Sequence, residues 1–450
     1  MPLLRNLEGN LGETRRVMEK FWILWEYLKL RWYRKARYHR PYMERIRNQR
    51  AKSWRKRLAK SPFYVSYQQA PLEEFPVVNK ALFMENFDAI NVAGITKEEA
   101  FRVALQAEES RDFSPTIGDI TVGLSSGTSG NKGIFLANGY ERAQWVATVL
   151  DRIIGWSWKH RKVAFFLRAN SNLYESVKSR LLTFEFFDIL QPLKGHAVRL
   201  ARYQPDILVA QPSVLRDVVL EMKKQGITPS VSRVISVAEV LDPEDQNQFS
   251  DFFGVRVEQV YQCTEGFLAH TCEEGNLHFN EDWLMIERNY LDEKKDRFHP
   301  VITDYFRRTQ PVIRYELNDI IHPGPPCACG LASQTIARIE GRADDVFRLS
   351  NTAGEVFTIY PDFLRRAVIG ASDSITDYRV TQVSERRITY YLEVEGGSDL
   401  DLVQVQVEKA LRRLFDRLAL DFVDIVYTTE IARIPGAKRI RIHNAHRPTV

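Results

Sequence analysis

The stretch Leu124-Ser125-Ser126-Gly127-Thr128-Ser129-Gly130-Asn131-Lys132-Gly133 decides how this chain is read. It holds three glycines and four hydroxyl residues. With so little Cβ bulk, such a loop can take left-handed backbone angles. Its N–H groups and hydroxyls can converge on an anion, most often a phosphate. The apolar periodicity of the next run, Ile134 to Ile154, predicts a helix whose N-terminus adds a favourable dipole for that anion.

Three other readings of the loop fit less well. A P-loop needs Ser or Thr after its lysine, and Gly133 follows Lys132. Gly123-Leu124-Ser125-Ser126-Gly127 formally matches G-x-S-x-G, but a nucleophile elbow turns straight into a helix, whereas more glycine and polar residues follow here. A Ser/Gly linker is out of place between two long patterned regions.

Working outward, strand-like runs alternate with helical ones: Lys162–Leu167, Phe184–Leu190, Asp206–Ala210, Arg233–Val237 and Val255–Val260, separated by patterns such as Ser213–Lys224 and Pro243–Phe253. This alternation predicts an α/β body with a mostly parallel sheet covered on both faces, whose ligands bind beyond the carboxyl ends of the strands. Past residue 343 the pattern changes to two strands (Tyr378–Val383, Ile388–Val394), a helix (Asp401–Leu418) and a strand (Phe422–Tyr427), a small α+β unit. The expected domains are 1–60, a basic helical extension with Pro41 as a break; 61–343, the large body; and 344–450, the small unit.

At 450 residues, 44% hydrophobic and 27% charged, the chain is an ordinary globular one, with no apolar run long enough to span a membrane and no signal-peptide core at its start. Four cysteines in this length form no disulfide framework, so a cytoplasmic location is expected. Residues 1–60 hold eighteen Lys and Arg against five Glu, a net of +13, which leaves −8 elsewhere in a chain of +5. Tryptophans 22, 25, 32 and 54 are interleaved with this charge. Residues 14–60 therefore suit peripheral contact with a membrane surface or acidic RNA, or else form a helical extension packed on the body with its aromatics buried.

Tyr261-Gln262-Cys263-Thr264-Glu265-Gly266 follows a strand candidate. A tyrosine offers a flat face to a purine, a threonine hydroxyl can bond a phosphate, and a glutamate can hold magnesium through oxygen. Downstream, Asp319 closes Pro311-Val312-Ile313-Arg314-Tyr315-Glu316-Leu317-Asn318-Asp319, and a carboxylate is the natural bidentate partner of two ribose hydroxyls.

Taken together these stretches resemble the adenylate-forming enzymes, and within them the phenylacetate–CoA ligase branch. The glycine-rich loop is similar to their S-S-G-T-[ST]-G signature, with Asn131-Lys132-Gly133 where Pro-Lys is usual. Tyr261–Gly266 resembles Y-G-x-T-E, with Gln262 for Gly; Thr303-Asp304 and Pro311–Asp319 resemble T-D and P-x-x-R-Y-x-x-G-D, with Asn318 for Gly. Gly341-Arg342-Ala343-Asp344 resembles the G-R-x-D hinge, and Ile434-Pro435-Gly436-Ala437-Lys438 the loop of the adenylation lysine. Val237-Ala238-Glu239 stands where the family has G-G-E. The resemblance covers about residues 120–440 and leaves the first 60 unexplained.

The resemblance implies ATP-dependent activation of a small carboxylic acid as its adenylate, then transfer to the thiol of CoA, with a carrier protein or an ester- or amide-forming acceptor as the alternative. It implies that Ser125, Ser126, Gly127, Thr128, Ser129, Gly130 and Lys132 cradle phosphate. Ala238, Glu239 and Tyr261 would hold adenine, Thr264 phosphate and Glu265 Mg²⁺. Asp319 would hold ribose, Arg342 would contact ribose or phosphates, Asp344 would be the hinge, and Lys438 would act in adenylation. A non-catalytic binding protein with a degenerate site is the rival class. Trp145, Phe184 and Phe186 suit an acyl pocket or the core equally.

One further set stands apart. Cys327-Ala328-Cys329-Gly330 lies between Asp319 and Asp344, and Cys272 and His278 follow the Tyr261–Gly266 turn. Three thiolates and an imidazole make a closed tetrahedral set suited to structural Zn²⁺. The C-x-C-G looks like that of some relatives in the same branch. Cys263 lies inside the nucleotide motif and is excluded.

Overall fold

The computed structural model describes residues 2–110, 115–124, 133–155, 157–167, 182–191, 193–431 and 439–446. They form two compact units, Met1–Leu317 with Pro323–Ala337, and Asn318–His322 with Arg338–Val450.

The first unit opens with helix α1 (Pro2–Trp32), a 3₁₀ segment (Tyr33–Tyr38) and α2 (Arg40–Arg55). Pro41 sits in the first turn of α2, where a missing N–H costs nothing, so it starts this helix. These helices are tied to the body by charge. Arg40 Nη1 bonds Glu281 Oε2 at 2.9 Å, and the Trp54 indole N–H donates to the Arg307 carbonyl at 3.1 Å. Short helices α3 (Lys80–Glu85) and α4 (Phe87–Ile90) and the longer α5 (Lys97–Ser110) follow.

Strands β1 (Thr116–Ile117), β2 (Ile120–Leu124) and β3 (Ile134–Ala137) make a small antiparallel sheet. It packs through Val122, Ile134 and Leu136 on Ala100 and Ala104 of α5. The expected helix over Ile134–Ile154 is thus corrected: its first four residues are β3, helix α6 spans only Gly139–Val149, and Leu150–Ile154 is a π-turn. The reason is local. Asn138 accepts from the Glu141 N–H and Glu141 accepts from the Asn138 N–H, a capping box that starts the helix there. The glycine-rich loop therefore joins two antiparallel strands and does not run into a helix. That removes the strand–turn–helix context of a nucleophile elbow. Gly123 pairs with Phe135, and a Cβ on it would lie 2.2 Å from the Phe135 ring, so this glycine serves a cross-strand aromatic.

The central sheet takes β4 (Arg161–Leu167), β5 (Leu182–Asp188), α7 (Leu193–Tyr203), β6 (Ile207–Ala210), α8 (Pro212–Gln225), β7 (Arg233–Val237), α9 (Pro243–Phe253) and β8 (Val257–Gln262). The strands run parallel in the order β5-β4-β6-β7-β8. Burial of Leu208, Ala210 and Val234 beneath Leu215, Val218 and Met222 of α8 accounts for the continuous apolar runs of β6 and β7. Beyond β8 the sheet turns antiparallel through β9 (Phe267–Thr271) and β10 (Leu277–Phe279). Strands β11 (Leu284–Tyr290), β12 (Phe298–Asp304) and β13 (Val312–Glu316) add an antiparallel meander.

The chain crosses into the second unit at β14 (Asp319–Pro323), returns, and crosses again along β15 (Thr335–Arg342). Hairpin β16 (Phe347–Ser350) and β17 (Val356–Ile359), helix α10 (Pro361–Ile369), β18 (Ile375–Ser384), β19 (Arg387–Val394), α11 (Leu400–Arg417), β20 (Asp424–Tyr427) and β21 (Ile442–Asn444) complete it. The four-stranded sheet has the order β20-β19-β18-β21. Val403, Val407, Leu411 and Leu414 recur at helical spacing and bury one face of α11 with Val380 and Ile388 of this sheet.

Candidate functional site

Strand β8 carries Tyr261 and Gln262 within it, two residues further than the sequence pattern places its end. Tyr261 is buried. The chain then turns tightly, with the N–H of Cys263 bonded to the Gly266 carbonyl at 3.0 Å. On this turn the Thr264 hydroxyl donates to Glu265 Oε2 at 2.8 Å. Arg307 donates from Nη2 to the Thr264 carbonyl at 3.1 Å.

Thr264 and Glu265 line a small, open pocket. Lys80, Gly133, Arg307 and Gln310 also line it. Gly133 is the last residue of the glycine-rich stretch, so the end of that loop and the Thr-Glu turn meet at one opening. Ser125, Ser126, Gly127, Thr128, Ser129, Gly130 and Lys132, like Lys438, lie outside the described residues.

A bonded frame holds the opening. Gln310 accepts from the Leu136 N–H at 3.0 Å and donates to the Ile134 carbonyl at 3.3 Å, fixing β3. The buried Glu141 accepts from the N–H groups of Arg308 and Thr309 at 2.6 and 3.1 Å. Below the turn, Asp304 is buried, and a Cβ on Gly266 would lie 2.9 Å from its Oδ2. Burial pushes the Asp304 carboxyl up to about 7, against the pull of the Phe306 N–H and the Arg307 guanidinium. Sequence reasoning missed Lys80, Arg307 and Gln310. The only signals were the Arg307-Arg308 pair after Thr303-Asp304 and the glutamine before Pro311.

Ala238 and Glu239 follow β7. Ala238 takes a left-handed backbone at φ 68°, an angle that costs any residue but glycine. The Glu239 carboxylate accepts from the N–H and hydroxyl of Ser213, at 3.1 and 3.0 Å, in the first turn of α8. Glu239 thus anchors a helix N-terminus, a placement its charge favours. Trp145 packs against Ile23, Ala143 and Val146 beneath α1, which is a core role.

In the second unit, Arg342 Nε stands 3.7 Å from Asp319 Oδ1. The Asn318 amide donates to Asp344 Oδ2 at 2.8 Å, and the Ala343 N–H donates to the Asn318 carbonyl at 2.7 Å. Asn318 therefore holds Asp344 by its side chain and Ala343 by its backbone.

Cys272, His278, Cys327 and Cys329 come together in the first unit, their ligand atoms all within 4.8 Å of one another. Sγ of Cys272 and Cys327 are 3.7 Å apart, and Cys329 Sγ lies 3.4 Å from His278 Nε2. His278 Nδ1 faces the Ser333 carbonyl at 3.2 Å, which places the proton on Nδ1 and turns the Nε2 lone pair toward the sulfurs. Asn276 Nδ2 and the Leu331 N–H donate to Cys327 and Cys329 sulfur at 3.1 and 3.4 Å, support suited to thiolates. Gly275 and Gly330, each three residues after a cysteine, take φ 84° and 77° and close the two turns.

Neither a family model nor a curated protein matches the sequence. Solved structures do. 2-Hydroxyisobutyryl-CoA ligase in the postadenylation state matches at TM-score 0.66 and 16% identity over 90% of each chain. The chain has the adenylate-forming fold. The same ligase with 2-HIB-AMP and CoA, in its thioesterification state, matches at 0.52 and 16% identity over 90% of this chain and 91% of that one. A benzoate CoA ligase from Burkholderia xenovorans matches at 0.50 and 14% identity, covering 72% of this chain and 68% of that one. At these identities the likeness shows the adenylate-forming fold and leaves the reaction to the site.

Proposed function

We propose that this protein activates a small carboxylic acid with ATP as its acyl-adenylate and passes the acyl group to the thiol of CoA. The observation that carries this reading is the meeting of Thr264, Glu265, Gly133, Lys80 and Arg307 at one pocket on the adenylate-forming fold.

In the first half-reaction a carboxylate oxygen of the substrate attacks the α-phosphorus, and the bond to the β-phosphate oxygen breaks with its electron pair leaving on pyrophosphate. Lys80 and Arg307 are the pocket-lining cations that this charge would meet, with Thr264 donating to a phosphate oxygen. The glycine-rich residues 125–132 cradle the phosphates, Tyr261 and Ala238 border adenine, and Asp319, held toward Arg342, takes the ribose hydroxyls. The hard oxygens of Glu265 suit Mg²⁺, which would neutralise phosphate charge. Lys438 contributes its cation in adenylate formation, and Asp344 is the pivot on which the second unit turns between half-reactions. In the second half-reaction the thiol sulfur attacks the acyl carbon, the carbon–oxygen bond to AMP breaks, and the thiol proton passes to solvent. Cys272, His278, Cys327 and Cys329 would hold a structural Zn²⁺.

The test is acid-dependent pyrophosphate release across aryl and fatty acids, with and without CoA. Release without CoA and thioester formation with it support the reading. Pyrophosphate release with no thioester would move the acceptor to a carrier protein or an amine. No acid-dependent release across the panel would overturn acyl activation and favour a binding protein.

A further inference from the structure

The two faces of α1 differ from those of an ordinary surface helix. Ile23, Tyr27 and Leu30 are buried on the body. Glu26 joins them, accepting from the Tyr140 hydroxyl and from Gln144 Nε2. This fixes the helix rotationally. The outward face is then also apolar: Met18, Phe21, Leu24, Trp25, Leu28 and Trp32 are all exposed, Trp25 at 56% and Trp32 at 84%. At 3.6 residues per turn they fill an arc of about 120°. Lys20 and Arg31 border that arc on one side and Lys29 on the other, and Arg34 and Lys35 follow its end. The acids of this segment are turned away. Glu19 pairs with Arg142 at 3.3 Å, and Glu26 is buried. Lys29 keeps Glu26 at 3.4 Å and Arg34 lies 3.8 Å from Glu273, so the outward face carries its large apolar side chains with Lys20, Arg31 and Lys35 as the remaining cations.

We infer that residues 17–35 dock this protein in the interface of an anionic lipid bilayer. The chemistry selects that occupant. Tryptophans prefer the headgroup boundary, the aliphatic Met18, Leu24 and Leu28 suit acyl chains, and a ring of lysine and arginine suits acidic headgroups. Single-stranded RNA would use the aromatics and leave these aliphatics in water. Two copies meeting face to face would set Lys20 and Arg31 against their own kind. No described helix is long and apolar enough to cross a membrane, so the contact is peripheral. The inference is independent of the reaction proposed above.

The full chain should sediment with vesicles holding about 30% phosphatidylglycerol at least ten-fold better than with phosphatidylcholine alone, and lose most of that preference near 1 M salt as the charges are screened. Leu24→Ser with Trp25→Ser, both at exposed positions, should cut binding at least ten-fold, with Trp emission no longer shifting blue on vesicle addition. Lys20→Glu with Lys35→Glu should remove the preference for anionic lipid independently of the apolar pair. Equal binding by wild type and both variants would overturn the inference. So would a wild-type dimer that the serine pair converts to monomer without any vesicle binding, or retention on a poly-uridine oligonucleotide but not on vesicles.

Discussion

The carboxylate of Asp304 lies against the backbone of Gly266, so close that a Cβ on the glycine would stand 2.9 Å from Oδ2. Asp304 is thus the floor beneath the Thr264-Glu265 turn. A buried acid this far above its ordinary range binds a proton more tightly folded than unfolded.

That difference sets a pH dependence. With the folded carboxyl at about 7 and the unfolded one near 4, the native state holds the extra proton between those values. Stability contributed here therefore falls as pH rises from about 4 to about 7 and is flat above. Asp304→Asn keeps an acceptor for the Phe306 N–H and carries no charge to bury. Its stability relative to wild type should improve between pH 5 and pH 8, by on the order of a few kcal/mol. Urea unfolding at the two pH values checks this, and a parallel shift in both proteins would remove Asp304 from the account. Gly266→Ala should lower activity, because Asp304 is fixed by its bond from Phe306 and cannot retreat.

Glu265→Gln should reduce acid-dependent pyrophosphate release by roughly a hundred-fold or more, the scale on which charge-stabilising groups act. Glu265 bonds its own neighbour Thr264, so melting temperature should hardly move. Wild-type rates in this variant would take Glu265 out of the magnesium role.

How far the sequence foretells these arrangements depends on the range of the contact. The parallel strands are legible because β6 and β7 are short β-branched or apolar runs between amphipathic helices. Ile134–Ala137 is not, because four apolar residues fit either period and only the Asn138–Glu141 capping box separates strand from helix. The convergence of the Cys/His set is legible in its spacing, with a glycine three residues after Cys272 and Cys327. Lys80 and Arg307 are not, since more than two hundred residues separate them and only the fold places both at Glu265. Asn318 reads in the sequence as a departure from a glycine pattern; its bond to Asp344 gives it a use of its own.

Ala238→Gly should stabilise the protein by about 0.5–1 kcal/mol, since it relieves a left-handed alanine at φ 68° and loses part of that gain to unfolded-state entropy. The Glu239–Ser213 bonds next to it should keep the loop in place. A loss of stability in thermal or urea melts would mean that the alanine methyl makes a contact worth more than the strain.

Zinc removal should loosen a segment far from it in sequence. The loop carrying Cys327 and Cys329 runs on to Ala332, whose N–H donates to the Arg37 carbonyl at 2.8 Å, and a Cβ on Gly330 would rest 3.6 Å from the Tyr38 ring. Glu281 extends the same seam, bonding Arg40 at 2.9 Å and the Gln334 N–H at 2.7 Å. The 3₁₀ segment between α1 and α2 is therefore seated on the cysteine loop. Three thiolates and one imidazole would leave a bound zinc no open position, so its work would be structural and its binding energy would be folding energy. Elemental analysis should find about one zinc per chain. Cys327→Ser should lower the zinc content and the melting temperature together. It should also expose the backbone around Tyr33–Tyr38 to limited proteolysis, a readout that general destabilisation elsewhere would not single out. A metal-free wild-type protein that melts at the same temperature with and without added zinc would end this assignment. A variant that loses zinc yet resists cleavage at Tyr33–Tyr38 would separate the metal from the seating of the N-terminal helices.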